Sequence, residues 1–115
     1  MADVRIEEFP QVAAILHPAG YLAADLGARL VGETKRLLAE GCPLVILSLE
    51  ECPLINSLGM ARLIEILEVA AEAGRMVWFA DLSKLHQQTL AGAGVLPIIP
   101  KVTTVAEAKR ALGLP

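Results

Sequence analysis

Three short apolar runs, at residues 12–16, 44–49 and 76–80, stand between longer stretches whose apolar residues recur every three or four positions. Runs of this length, apolar on both faces, suit strands buried from both sides, and the intervening stretches suit helices. Strands alternating with helices imply parallel pairing through crossover connections, because a parallel neighbour cannot be reached by a tight turn. That pattern constrains the chain to an α/β sheet.

The remaining segments extend the pattern. Val4 and Ile6 alternate with Arg5 and Glu7, as in a short strand with one wet face, and Phe9-Pro10 turns the chain. This strand and the run at 12–16 lie so close in sequence that they are expected to pair antiparallel. The run ends at the turn signal Pro18-Ala19-Gly20. A helix is predicted over 23–40, with Leu26, Leu30, Leu37 and Leu38 on one stripe, Ala23 and Thr34 between them, and Asp25, Arg29, Glu33 and Arg36 opposite. Gly27 and Gly32 lie inside it, each at a cost of about 1 kcal/mol against Ala, and Gly41 stops it. A second helix is predicted over 57–73, with a core stripe of Met60, Leu63, Ile64, Leu67, Ala70 and Ala71 and a solvent side of Glu65, Glu68 and Glu72. Gly74 ends it. The runs at 44–49 and 76–80 should be adjacent, parallel and nearly fully buried. A weaker helix is predicted over 83–91, stopped by Gly92 and Gly94. A last strand is predicted at 96–99, where Pro97 and Pro100 fit only an edge or the strand ends. The closing helix, 105–112, opens with Thr104 and Glu107 in a capping-box pattern. The expected fold class is therefore α/β: one domain over 1–115, with a small, mixed, mostly parallel sheet of about five strands and about four helices.

Composition narrows the function. The chain has 115 residues, within the range of a single domain of about 100–200. With 55% hydrophobic residues it is not a disordered chain, and with 3% aromatics its core must be aliphatic. A formal charge of −3 argues against the broad basic face of a nucleic-acid binder. No apolar run approaches the roughly 18–20 residues of a membrane span, so no direct membrane insertion is expected. The N-terminal MADVRIEEFP lacks the basic-then-apolar layout of a signal peptide, and a cytoplasmic location is the expectation. Cys42 and Cys52 fit neither CxxC nor a zinc ribbon and read as small buried or half-buried thiols. His17 and His86 lack a metal-ligand spacing and read as structural. No metal or cofactor is expected.

Ligands and partners of open α/β sheets meet the loops at the carboxyl ends of the strands. The most informative such loop runs through 53–59 and contains Leu54, Ile55, Asn56, Ser57, Leu58 and Gly59. Asn56 and Ser57 are both favoured N-cap residues. A hydroxyl there lies near free amides and the positive end of the helix dipole, where a phosphate would be stabilised. Gly59 leaves room for close backbone approach. No catalytic set competes: Glu50-Glu51 reads as a solvated turn, Ser57 has no His or Lys that spacing places beside it, and no GxxxxGK[ST] loop occurs. A binding module rather than an enzyme is expected.

Several phrases, in order along nearly the whole chain, resemble the STAS domain shared by sulphate transporters and bacterial anti-sigma-factor antagonists. Leu16-His-Pro-Ala-Gly20-Tyr-Leu22 resembles a strand ending in a G-x-L turn, and Leu44-Val-Ile-Leu-Ser-Leu49 resembles the central strand. Leu54-Ile-Asn-Ser-Leu-Gly59 resembles the signature, an apolar pair followed by D-S-[ST]-G, and Thr104-Val-Ala-Glu-Ala108 resembles the opening of the last helix. The resemblance implies a small mixed sheet with helices. In the antagonist branch it implies a partner that is an anti-sigma factor with serine kinase activity, whose phosphorylation of the signature serine dissociates the complex. That serine matches Ser57, and the signature glycine matches Gly59.

Three positions depart from the pattern. Asn56 stands for the usual Asp, Leu58 for Ser or Thr, and Ser48 for the Asp of the central L-D-L phrase. Asn still caps a helix, but two carboxylates are lost, and with them the charge a kinase would read. The expected partner-binding residues are Leu54, Asn56, Ser57, Leu58, Gly59 and Arg62, with Ser57 as the phosphorylation site. Apolar contact would come from Leu54, Ile55, Leu58 and Met60, with Ile55 and Met60 equally suited to a place beneath the helix. The alternative is a non-phosphorylated scaffold or accessory subunit of a larger signalling or transport assembly.

Overall fold

The computed structural model describes residues 3–115; Met1 and Ala2 of the expected 1–115 span, and with them the start of the N-terminal segment weighed as a leader, lie outside the described residues. Strands β1 (Asp3–Phe9), β2 (Ala13–Ala19), β3 (Leu44–Ser48), β4 (Met76–Ala80) and β5 (Lys101–Thr103) form one sheet in the order β1-β2-β3-β4-β5. The β1–β2 pair is antiparallel, with Ile6 opposite Leu16, and the other three pairs are parallel. Helices α1 (Ala24–Ala39), α2 (Ser57–Glu72), α3 (Lys84–Gly92) and α4 (Val105–Leu112) complete the α/β fold anticipated from the sequence.

Side chains alternate across the sheet. Ala14, Leu16, Val45, Leu47, Val77 and Phe79 join Leu26, Leu30, Leu63 and Ile66 of α1 and α2, and Leu90 of α3, in the larger core. Ala13, Ile15, Leu44, Ile46 and Ala80 face the other way and pack with Ala108 of α4. Both faces of β3 are covered, and all five of its residues are buried.

The structure corrects several sequence expectations. The last strand lies at Lys101–Thr103, not 96–99. Leu96–Ile98 is a 3₁₀ turn with Pro97 in its opening positions. Proline suits the start of a helical turn, where its missing N–H goes unused. The turn after β2 begins at Gly20 (φ +113°), because the strand continues through Pro18. Pro18 is tolerated there: β2 pairs with β3 only over Ala14, Ile15 and Leu16, so the absent N–H falls beyond that ladder. Met76, the first residue of β4, is 52% exposed and not buried.

On α2, Ile66 is buried, Ile64 only half-buried and Ala71 exposed, so the core stripe is rotated from the predicted one. Helices α1 and α2 also approach closely at Gly27. This glycine is buried at the α1–α2 crossing, where a Cβ would come 2.7 Å from Cγ of Arg62. Gly27 thus draws the helices together, whereas Gly32, with nothing within 4 Å, has no such role.

Candidate functional site

Parallel pairing of β2 and β3 brings their carboxyl-terminal loops to the same end of the sheet. The loop after β2 (residues 20–23) lies against the loop after β3 (residues 49–56). Gly20 N–H donates to the Glu51 carbonyl (3.0 Å) and Leu22 N–H to the Leu54 carbonyl (2.9 Å). Asn56 N–H in turn donates to the Leu22 carbonyl (3.1 Å), and Leu22 and Ile55 form an isolated parallel bridge. The two loops are therefore one hydrogen-bonded platform, although 34 residues separate Leu22 from Asn56 in the chain.

Asn56 ends the platform and caps α2: its Oδ1 accepts from Gly59 N–H at 2.8 Å, and its carbonyl accepts from Met60 N–H at 2.9 Å. Ser57 is the first residue of α2 and is exposed. Among the described residues no side chain hydrogen-bonds its hydroxyl and no base stands beside it.

The sequence-predicted residues divide by placement. Leu54 (52% exposed) and Leu58 (59%) project to solvent beside Ser57. Met60 is buried and Ile55 half-buried, so of the two apolar pairs only the outer one is presented. Gly59 is buried beneath the Leu22 carbonyl and acts through packing: a Cβ at this position would collide with that backbone oxygen. Arg62 is exposed one turn further along, its guanidinium paired with Glu65 at 2.8 Å and its aliphatic stem lying over Gly27. Glu50 and Glu51 are exposed at the platform's rim.

Tyr21 was not singled out by sequence reasoning. It is 55% exposed in the β2–α1 loop and, with Leu58 and Asn56, lines a shallow depression. Its signal was its place next to Gly20 at a strand's carboxyl end, which becomes informative only once β2 is known to pair with β3. A second depression of about 300 Å³, lined by Ile55, Met60, Ile64, Thr89 and Ala93, runs between α2 and α3 on the other side of Ser57.

Cys52 is fully buried, and burial, with Glu51 nearby, pushes its thiol up to about 11, so it remains a neutral SH. Its Sγ donates to the Pro18 carbonyl at 3.4 Å. Burial likewise pushes the half-buried Cys42 thiol up. Ser48, buried at the end of β3, donates its hydroxyl to Asp81 Oδ2 at 3.0 Å. A carboxylate therefore does stand at this point, supplied by the neighbouring strand's end. Asp81 adopts φ +56° and its other oxygen accepts from Val105 N–H at 3.3 Å, holding the start of α4. Among the described residues no group of three His, Cys, Asp or Glu is placed to hold a metal, and no helix is long and apolar enough to cross a membrane.

No family model matches the chain, and no curated protein matches it by sequence. Solved structures match in fold. A Thermotoga maritima protein assigned as an anti-sigma factor antagonist is similar with a TM-score of 0.81 at 16% identity, over 96% of this chain and 94% of that one. The phosphorylated form of the Bacillus cell fate determinant SpoIIAA is similar with a TM-score of 0.71 at 12% identity, over 95% and 99%. A sulfate transporter family protein from Wolinella succinogenes is similar with a TM-score of 0.75 at 18% identity, over 93% and 89%. At these identities the likeness is one of fold. The chain has the fold of the STAS domain and anti-sigma-factor-antagonist structures.

Proposed function

We propose that this chain is a regulatory protein-binding module of the anti-sigma-factor-antagonist kind, and that Ser57 is its phosphorylation site. One observation carries the reading: Ser57 is exposed at the first turn of a 16-residue helix, on a platform that also exposes Leu54 and Leu58 and, on the loop bonded to it, Tyr21. Exposed large apolar side chains grouped around a polar centre mark a contact surface. The partner is an anti-sigma factor with serine kinase activity. It covers Tyr21, Leu54 and Leu58, reads Asn56 and Ser57, and meets Arg62 at the rim, while Gly59 supports the surface from below. A phosphate on Ser57 adds roughly −1.5 to −2 charges to an apolar contact and disrupts it by desolvation. The helix N-terminus meanwhile stabilises the phosphate in the free protein.

The departures at Asn56 and Leu58 favour one second reading, a non-phosphorylated scaffold or accessory subunit. Incubation with ATP and a serine-kinase anti-sigma factor taken from the same genome, followed by intact mass, separates the two. A single phosphate mapped to Ser57, with Ser57→Asp abolishing the complex and Ser57→Ala keeping it, supports the switch. A stable complex with no mass change, and equal binding by both variants, supports the scaffold.

A further inference from the structure

The start of α3 departs from the usual capping box in a way that reaches the candidate site. In a capping box the fourth residue is Glu or Gln, whose side chain returns to the N-cap amide. Here it is His86. Its backbone N–H donates to Ser83 Oγ (3.0 Å) and its Nδ1 accepts from Ser83 N–H (3.0 Å), so the box is complete. Unlike Gln, the imidazole has a second nitrogen on its far side. That Nε2 meets the Cys52 carbonyl at 2.5 Å, across 34 residues of sequence. Since Nδ1 accepts, Nε2 bears the proton and donates. His86 is 3% exposed, and among the described residues nothing else is bonded to the Cys52 carbonyl.

Cys52 is the middle of the Ser57 loop. Its N–H donates to Leu49, its thiol to Pro18, and its carbonyl takes His86, so α3, β2 and the loop meet at one residue. We infer that His86 is a positioning residue for the Ser57 platform, tying it to the start of α3 through the Nε2–H to Cys52 carbonyl bond. Loss of that one bond releases a buried carbonyl and loosens the loop while α3 stays capped. The consequence for partner binding rests on the reading of Ser57 given above; the tether itself does not, and its test uses no partner.

His86→Gln separates the two roles, because Gln at this position retains the capping box but cannot also reach Cys52. Amide hydrogen exchange is followed in the whole protein at Leu22, Cys52 and Asn56 of the platform, at Gln87 of α3 and at its C-cap Ala93. Labelling of Cys52 by a thiol reagent is measured in a Cys42→Ser background. The variant is expected to exchange about tenfold faster at the platform amides, the effect of one lost buried hydrogen bond on local opening. Cys52 labelling is expected to accelerate with it, while Gln87 and Ala93 are unchanged. Ser83→Ala is expected to do the reverse, loosening α3 and sparing the platform. Equal acceleration everywhere, or no change at Leu22, Cys52 and Asn56, would overturn the inference. Should His86→Gln not fold, nitrogen NMR of the wild-type imidazole decides: a slowly exchanging proton on Nε2 with bare Nδ1 supports the tether, and the opposite tautomer or a rapidly exchanging Nε2 proton refutes it.

Discussion

The Leu22 carbonyl lies over Gly59 so closely that no Cβ fits between them, and the same oxygen accepts the Asn56 amide at 3.1 Å. One backbone atom thus fixes both the cap and the first turn of α2. Gly59→Ala should destabilise the protein by about 2–3 kcal/mol, as overpacking against unyielding backbone does. Gly32→Ala, in open space on α1, should stabilise it by about 0.5–1 kcal/mol from reduced chain entropy. Urea unfolding of the two variants should shift the midpoint in opposite directions.

Leu47 is fully buried between Leu16 of β2 and Phe79 of β4. Leu47→Asp places an unpaired carboxylate where neither water nor a cation can reach it, and a loss above about 4 kcal/mol follows. The variant should yield no soluble folded protein. A cooperative melt like that of the wild type would contradict the buried central position of β3.

The double variant Asn56→Asp/Leu58→Ser restores the polar signature. Asp and Asn cap almost equally well, and Leu58 is 59% exposed, so little packing is lost. The melting temperature should change by no more than a few degrees. Phosphorylation by a related serine kinase should rise by about one to two decades, the worth of one regained charge-assisted hydrogen bond at about 1.5–3 kcal/mol. An unchanged rate would favour the unphosphorylated scaffold.

Glu7 joins the sheet to α4. Partial burial would raise its pKa, but the Lys109 ammonium at 3.0 Å and His17 at 2.6 Å outweigh that and hold the carboxyl below its ordinary 4.5. The unfolded chain therefore takes up this proton first as pH falls. The contribution to stability is complete at neutral pH, begins to fade as pH approaches 4.5, and is gone below the lower folded value. Glu7→Gln should flatten this part of the acid limb, read from urea midpoints between roughly pH 3 and 6, with an effect of order 1 kcal/mol at neutral pH.

Local patterning made much of this structure legible. The extents of the helices, the glycine stops and the Thr104 cap are encoded within a few residues, and the paired apolar runs announce the buried strands, although the α2 stripe is rotated from the one its pattern suggested. What stayed hidden depends on partners distant in sequence. Tyr21 gains meaning only when Leu22 bonds to Leu54. Gly27 reads as a helix weakness until Arg62 is laid across it. His86 looks like a polar helix residue until its far nitrogen meets Cys52. The strand at Lys101–Thr103 has too few residues to show a period, and the apolar stretch before it, holding Pro97, drew the assignment away. Asp81 restores near Ser48 a carboxylate whose loss was inferred from one strand alone.

The sheet's spatial order is identical to its order along the chain. No strand has to be threaded between two already in place. As the polypeptide leaves the ribosome, the local β1–β2 hairpin supplies an open edge, and β3, β4 and β5 can each add to the edge just made. Each parallel addition closes a connection of about 20 to 27 residues, and the entropy of such closures grows only slowly with length. The last addition is three residues long and begins with Lys101, and a short edge opened by a lysine is less able to template pairing with another chain.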